Sequence, residues 1–174
     1  MTRKHWLFLL AVLVQTAILA VVPASRIHTL MTGRTIFLKT APVDPYDIMA
    51  GYYVTLRYEI GNLSKVPGYS NEGVEGPVYI FLTEGSDGAW QATRVDKKKP
   101  AADAASKGVF IQGTRTWNGA LYGIERYYIP EGKGQEIEEA LRKHRNETRV
   151  EVRVDSSGHA ALVSLHIGSK VYEY

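Results

Sequence analysis

The hydrophobic positions of this chain fall into two regimes. From Trp6 to Val22 seventeen consecutive residues carry no charge, behind the basic head M-T-R-K-H and ahead of Pro23. As a helix rising ~1.5 Å per residue this run covers roughly 25 Å, close to the ~30 Å hydrocarbon core of a bilayer. It lacks an amphipathic stripe, so residues 1–24 read as an export signal or, in preference, an uncleaved membrane anchor rather than a buried core helix. Beyond residue 33 the period drops to two. R-T-I-F-L-K-T, residues 34–40, reads as a first strand, and Val54, Leu56, Tyr58 and Ile60 then alternate with Tyr53, Thr55, Arg57 and Glu59. Successive strand side chains point to opposite faces, so the first set belongs to the core. Val150, Val152 and Val154 alternate with charged residues in the same way, and Ala161, Val163, Leu165 and Ile167 form the inward set of the next run.

Turn chemistry separates these runs. Pro45 holds Asp44 extended and Gly51 permits a reversal into the Val54 strand. Asp87-Gly88, Asn118-Gly119, Ser157-Gly158 and Gly168-Ser169 each lie between β-rich runs, the dipeptide signature of antiparallel hairpins. Residues 61–76 are crowded with Gly, Pro, Ser and Asn and read as a long loop, as do residues 96–108 with their three adjacent lysines. One soluble helix is expected within 129–146, where Ile137, Ala140, Leu141 and His144 recur at helical spacing. The fold class that follows is mainly β (α+β): an N-terminal transmembrane helix, a linker over 25–33, and an antiparallel barrel-like or sandwich domain over 34–174 with one helix in its C-terminal half.

Charge narrows the range of partners. The net charge is +3, and two of the 21 basic residues, Arg3 and Lys4, precede the apolar run; the remainder sits within one charge of balance against 18 acidic residues. A nucleic-acid partner requires a far larger basic excess, so none is expected. The basic head places the N-terminus in the cytoplasm and the rest of the chain outside it. Lys97 to Lys99 read as a solvated loop, with contact to an anionic lipid or polyanion as the sharper alternative. The chain has no cysteine, which removes thiolate metal sites, thiol nucleophiles and disulfides.

Catalytic patterns are sparse. The five histidines form no HxH, HxxxH or HExxH pair, and His159 and His166 are expected on opposite faces of one strand, so no metal site or cofactor is expected. Asp44, Asp47 and Glu125 lie in apolar or aromatic stretches; turn bonding is the expected role of the two aspartates and pairing with Arg126 or another arginine that of Glu125. Tyr122, Tyr127 and Tyr128 cluster in Y-G-I-E-R-Y-Y, either as core or as the lining of a groove for a partner.

The order of an apolar N-terminus, T-G-R-T-I-F-L-K-T-A-P-V-D-P with Asp44 and Pro45, G-Y-Y-V-T-L-R-Y-E-I and Y-G-I-E-R-Y-Y-I-P-E-G resembles the bacterial family named for its GDYXXLXY motif. Gly51, Tyr53, Leu56 and Tyr58 match the motif, while its acidic position is Tyr52 here, so no role of that carboxylate carries over. The resemblance implies a single-pass protein of the bacterial inner membrane with its body on the periplasmic side, and an accessory role beside a multi-span membrane protein. It implies no activity. The expected contact surface is Gly51 to Tyr58 with Tyr122 to Tyr128, and within the latter Tyr122, Gly123, Glu125, Arg126 and Tyr127 are the candidate site residues. Two alternatives stand beside this non-enzymatic reading: a hydrolase similar to membrane-bound signal peptidases, which would need a serine that Ala41 to Tyr52 lacks, and a barrel that carries a small ligand in its mouth.

Overall fold

The computed structural model describes residues 3–41, 49–50, 53–67, 69, 75–101 and 108–174. Helix α1 (Arg3–Thr32) continues through Pro23, so most of the segment read as a linker is its last two turns. Proline removes one helical hydrogen bond, a loss that apolar spanning helices tolerate. What holds the extension is contact, because these last turns pack on β10 (Thr148–Val154) and β11 (Ala160–Ile167). Gly33 then closes the helix, its amide donating to the Thr29 carbonyl at 2.9 Å. A Cβ at this position would lie 2.5 Å from that carbonyl oxygen and 3.0 Å from the Val154 nitrogen.

All strand pairings among the described residues are antiparallel. Strand β1 (Arg34–Ala41) pairs with β10, β10 with β11, and β11 with β12 (Lys170–Tyr172). At its far end β1 turns to β4 (Arg57–Tyr58), with Thr40 opposite Tyr58. A second sheet places β3 (Tyr53–Thr55) between β2 (Met49–Ala50) and β9 (Arg126–Tyr128). The third has the order β6-β5-β7-β8, from β5 (Gly76–Glu84), β6 (Trp90–Asp96), β7 (Val109–Thr116) and β8 (Gly119–Leu121). The chain changes sheets at Leu56, whose amide donates to the Glu125 carbonyl at 2.7 Å. The sheets therefore curl into a half-barrel around one continuous core.

That core contains the alternating set as read: Val54, Leu56, Tyr58 and Ile60 are all buried, although Ile60 lies in a 3₁₀ turn (Glu59–Gly61) rather than a strand. Burying a side chain of this size contributes about 1.5–3 kcal/mol. The loop over 61–76 also supplies core residues, Leu63 and Val66. Helix α2 (Gly134–Lys143) is the expected helix, with Ile137 fully buried and Ala140 and Leu141 packed at the edge of the core.

Two local readings differ from the structure. The register between β10 and β11 shifts at Glu151/Val152, because Ser164 faces Glu151 while Leu162 faces Val152. Val163 is the extra residue of a β-bulge, so Leu162 takes the core position before it and Ala161 is buried on the opposite face, outside the core cluster. A bulge flips the inward set on one side of it, which strict alternation does not register. In the β7–β8 hairpin, Trp117 and Asn118 form the loop and Gly119 opens β8 at φ 122°. The added Cβ at Gly119 would overlap the Gly61 carbonyl, so both the backbone conformation and the space require glycine.

Candidate functional site

The two tyrosine-rich stretches meet. Strand β3 pairs with β9 so that Tyr53 faces Tyr128, Val54 faces Tyr127 and Thr55 faces Arg126. Past the sheet change, Tyr58 donates its hydroxyl to the Ile124 carbonyl at 2.6 Å, and Tyr122 donates back to the Ile60 carbonyl at 2.6 Å. Their rings stand edge to face, 6.4 Å apart. Tyr127 donates to the Tyr172 carbonyl at 2.7 Å, which fastens β12 to the same seam. Glu125 closes the loop ahead of β9: its two carboxylate oxygens accept from the amides of Tyr122 at 2.6 Å and Gly123 at 2.9 Å. Backbone amides therefore take the place of the expected arginine partner for Glu125. Arg126 instead lies over the Tyr53 ring, 5.1 Å from its centre.

The electrostatics follow from this burial. Desolvation pushes the Tyr58 and Tyr122 hydroxyls far above the usual phenol range, with the Glu125 carboxylate adding to the effect. Tyr127 is pushed up to about 12 by burial, with Tyr174 and Glu173 adding to it. These are neutral, partnered tyrosines, suited to holding backbone carbonyls rather than to proton transfer.

Among the sequence-derived site residues, Leu56, Tyr58, Tyr122 and Tyr127 belong to the core, while Tyr53, Gly123, Glu125 and Arg126 reach the surface of the seam. Asp44, Pro45, Asp47 and Gly51 lie outside the described residues. The tyrosines of the seam fill the interior, and on the outer side of the seam opens a cleft of about 1000 Å³ bounded by the end of α1, β7, the β8–β9 segment with Tyr122 and Glu125, and the start of β11. Arg26 and Thr29 enter it from α1, Arg126 and Tyr128 from β9, and His159 from the turn before β11. His159 thus stands outside the strand that holds His166. Leu121 forms an exposed lip, and Trp117 on the same hairpin is 92% exposed.

Beneath the cleft lies a contact that spacing did not signal. The Thr29 hydroxyl donates to Asp155 Oδ2 at 2.8 Å, and Asp155 Oδ1 accepts from the amides of Ser157 and His159 at 2.9 and 3.0 Å. His159 Nδ1 stands 3.3 Å from Asp155 Oδ2. Burial pushes the Asp155 carboxyl up, but the Thr29 hydroxyl and the two amides together outweigh it and hold the group below the usual carboxylate range. The D-S-S-G turn was legible; Thr29, 126 residues away, was not. Arg26 follows the apolar run in the sequence, but nothing local marks it as a cleft residue. Among the described residues no three His, Asp or Glu side chains converge to hold a metal ion.

Comparison with curated proteins and with solved structures finds no match. A family model described as "GDYXXLXY protein" matches residues 15–165, a span that includes the second half of α1, both tyrosine-rich stretches and the Asp155 turn. The chain belongs to the GDYXXLXY protein family.

Proposed function

We propose that the protein is a membrane-anchored, non-enzymatic module whose β body lies on the extracytoplasmic side of a bacterial inner membrane and docks on an integral membrane partner. The carrying observation is a division of labour within the tyrosine stretches. Their buried tyrosines are engaged with backbone carbonyls, whereas Tyr128, Arg126 and the preceding Leu121 present an exposed aromatic, a cation and an aliphatic side chain beside the end of α1. Aromatic and arginine side chains of this kind are enriched where one protein binds another. Support for the anchor comes from α1, which is long and apolar enough to cross a membrane and has none of its apolar window buried by the rest of the chain. The basic residues ahead of it favour a cytoplasmic N-terminus. Glu125, the acidic residue of the seam, has both oxygens engaged by backbone amides, which fits a structural part better than a general base.

A photo-crosslinking amino acid placed at Trp117, Leu121 or Tyr128 in the full chain, in cells, tests this reading. The expected result is a reproducible adduct with one integral membrane protein from at least one of these positions, and none from the same label at Lys98. Absence of a reproducible membrane-protein adduct from all three positions overturns it.

A further inference from the structure

We propose that the cleft between α1 and the β8–β9 segment seats the phosphate headgroup of an anionic membrane lipid. This rests on α1 crossing the bilayer. Ser25 lies three residues past Val22, which is about 4.5 Å of helix rise, so the mouth of the cleft stands at the level of the headgroups. Two arginines line the cleft from separate elements, Arg26 from α1 and Arg126 from β9, the latter with its guanidinium over the Tyr53 ring. Arginine is the side chain best shaped for a phosphate, through its planar fork of donors.

The neighbouring carboxylates do not compete strongly for those arginines. Glu125 lines the cleft, but both its oxygens accept backbone amides, and Asp155 is held below the floor by Thr29, Ser157 and His159. The apolar features select a lipid over a soluble anion. Leu121 forms the lip of the cleft and Trp117 projects from the turn of the same hairpin, both largely exposed, where a bilayer surface would receive them. Tryptophan is enriched at that interface because its ring is amphipathic. Lys98 and Lys99 are also exposed cations, but they belong to the loop after β6 and do not line the cleft.

The test uses the full chain in nanodiscs of phosphatidylglycerol and phosphatidylcholine in equal parts, with retained lipid counted by native mass spectrometry. The wild-type chain is expected to keep one phosphatidylglycerol, in the presence or absence of inorganic phosphate. Arg26→Ala with Arg126→Ala should weaken retention about 30-fold, at about 1 kcal/mol per basic residue near an anionic surface. The double lysine variant, Arg26→Lys with Arg126→Lys, controls for folding and should recover part of it. Lys98→Ala with Lys99→Ala, which removes the same charge elsewhere, should leave retention unchanged. Equal retention of the two lipids overturns the proposal, as does displacement by inorganic phosphate, wild-type retention in the double alanine variant, or an equal loss in the lysine-loop variant. A chain that does not enter the nanodisc removes the anchor reading, and this site with it. Loss of the partner adduct with lipid retention intact removes only the docking reading.

Discussion

At the tyrosine seam, three hydroxyls reach backbone carbonyls across 45 to 66 residues of chain, and each tyrosine that donates is buried. At the junction of α1 with the β body, one hydroxyl meets one carboxylate at 2.8 Å beside an open cleft. The seam ties three stretches into one core, so a loss there is a loss for the whole body. The junction fixes only how α1 stands against the sheet. The cleft lies where the two regions meet, lined by Arg26 from α1 and by Arg126 from β9 of the seam.

The largest separation between the two regions is expected from Gly119→Ala. This position combines φ 122° with direct backbone contact at Gly61, so strain and clash add to about 3 kcal/mol or more, and urea unfolding should show a failed or strongly destabilised fold. Tyr58→Phe and Tyr122→Phe come next. Each leaves a buried carbonyl without its donor, at about 1–3 kcal/mol, and because the rings are in contact the double variant should depart from additivity. If either change is neutral in urea unfolding, the seam is not held by these hydroxyls.

The alkaline limb of stability should report the same seam. The folded state disfavours ionised Tyr58 and Tyr122, so their contribution is complete below the ordinary phenol value of 10.0 and falls as pH rises beyond it toward the raised folded values. Absorbance at 295 nm should show these phenols ionising together with the loss of near-ultraviolet circular dichroism. Ionisation of all eleven tyrosines with the dichroism intact would contradict their burial.

The two regions were unequally legible in the amino-acid order. Alternation at Val54, Leu56, Tyr58 and Ile60 predicted the core face even though the chain changes sheets at Leu56, because side-chain direction has period two whichever strand is the partner. The same rule misplaced Val163, since a bulge adds one residue without any change in composition. Asp87-Gly88 and Gly168-Ser169 marked turns because glycine supplies the positive φ they need, 76° at Gly88 and 57° at Gly168. Pro23 marked a helix end that the fold does not use, since packing of the following turns on β10 and β11 offsets one missing hydrogen bond. The tyrosine stretches stood out through their aromatic content, while the Thr29–Asp155 contact and the cleft depend on long-range placement that no local pattern encodes.

The smallest effect is expected at that contact, and it distinguishes the junction from the seam. Thr29→Val keeps the shape of the side chain and removes its hydroxyl, while Asp155 keeps the amides of Ser157 and His159. Urea unfolding of the body should therefore move by about 1.5 kcal/mol, the low end for a hydrogen bond to a charged group. A spin-label distance between the exposed positions Met31 and Leu121 should nevertheless broaden, because the helix end has lost one polar tie and keeps only such contacts as the Arg153 bond to the Gly33 carbonyl. Acid should act in the same direction. Asp155 is held below its ordinary value of 3.8, so its contribution is present above about pH 4 and is lost as pH falls through the depressed folded value. Without the Thr29 hydroxyl that depression shrinks, so the carboxylate of Thr29→Val should take up its proton at a higher pH than in the wild type. A variant whose distance distribution and acid limb both match the wild type would mean that apolar packing of α1 on β10 and β11, rather than the hydroxyl–carboxylate bond, sets the orientation of α1.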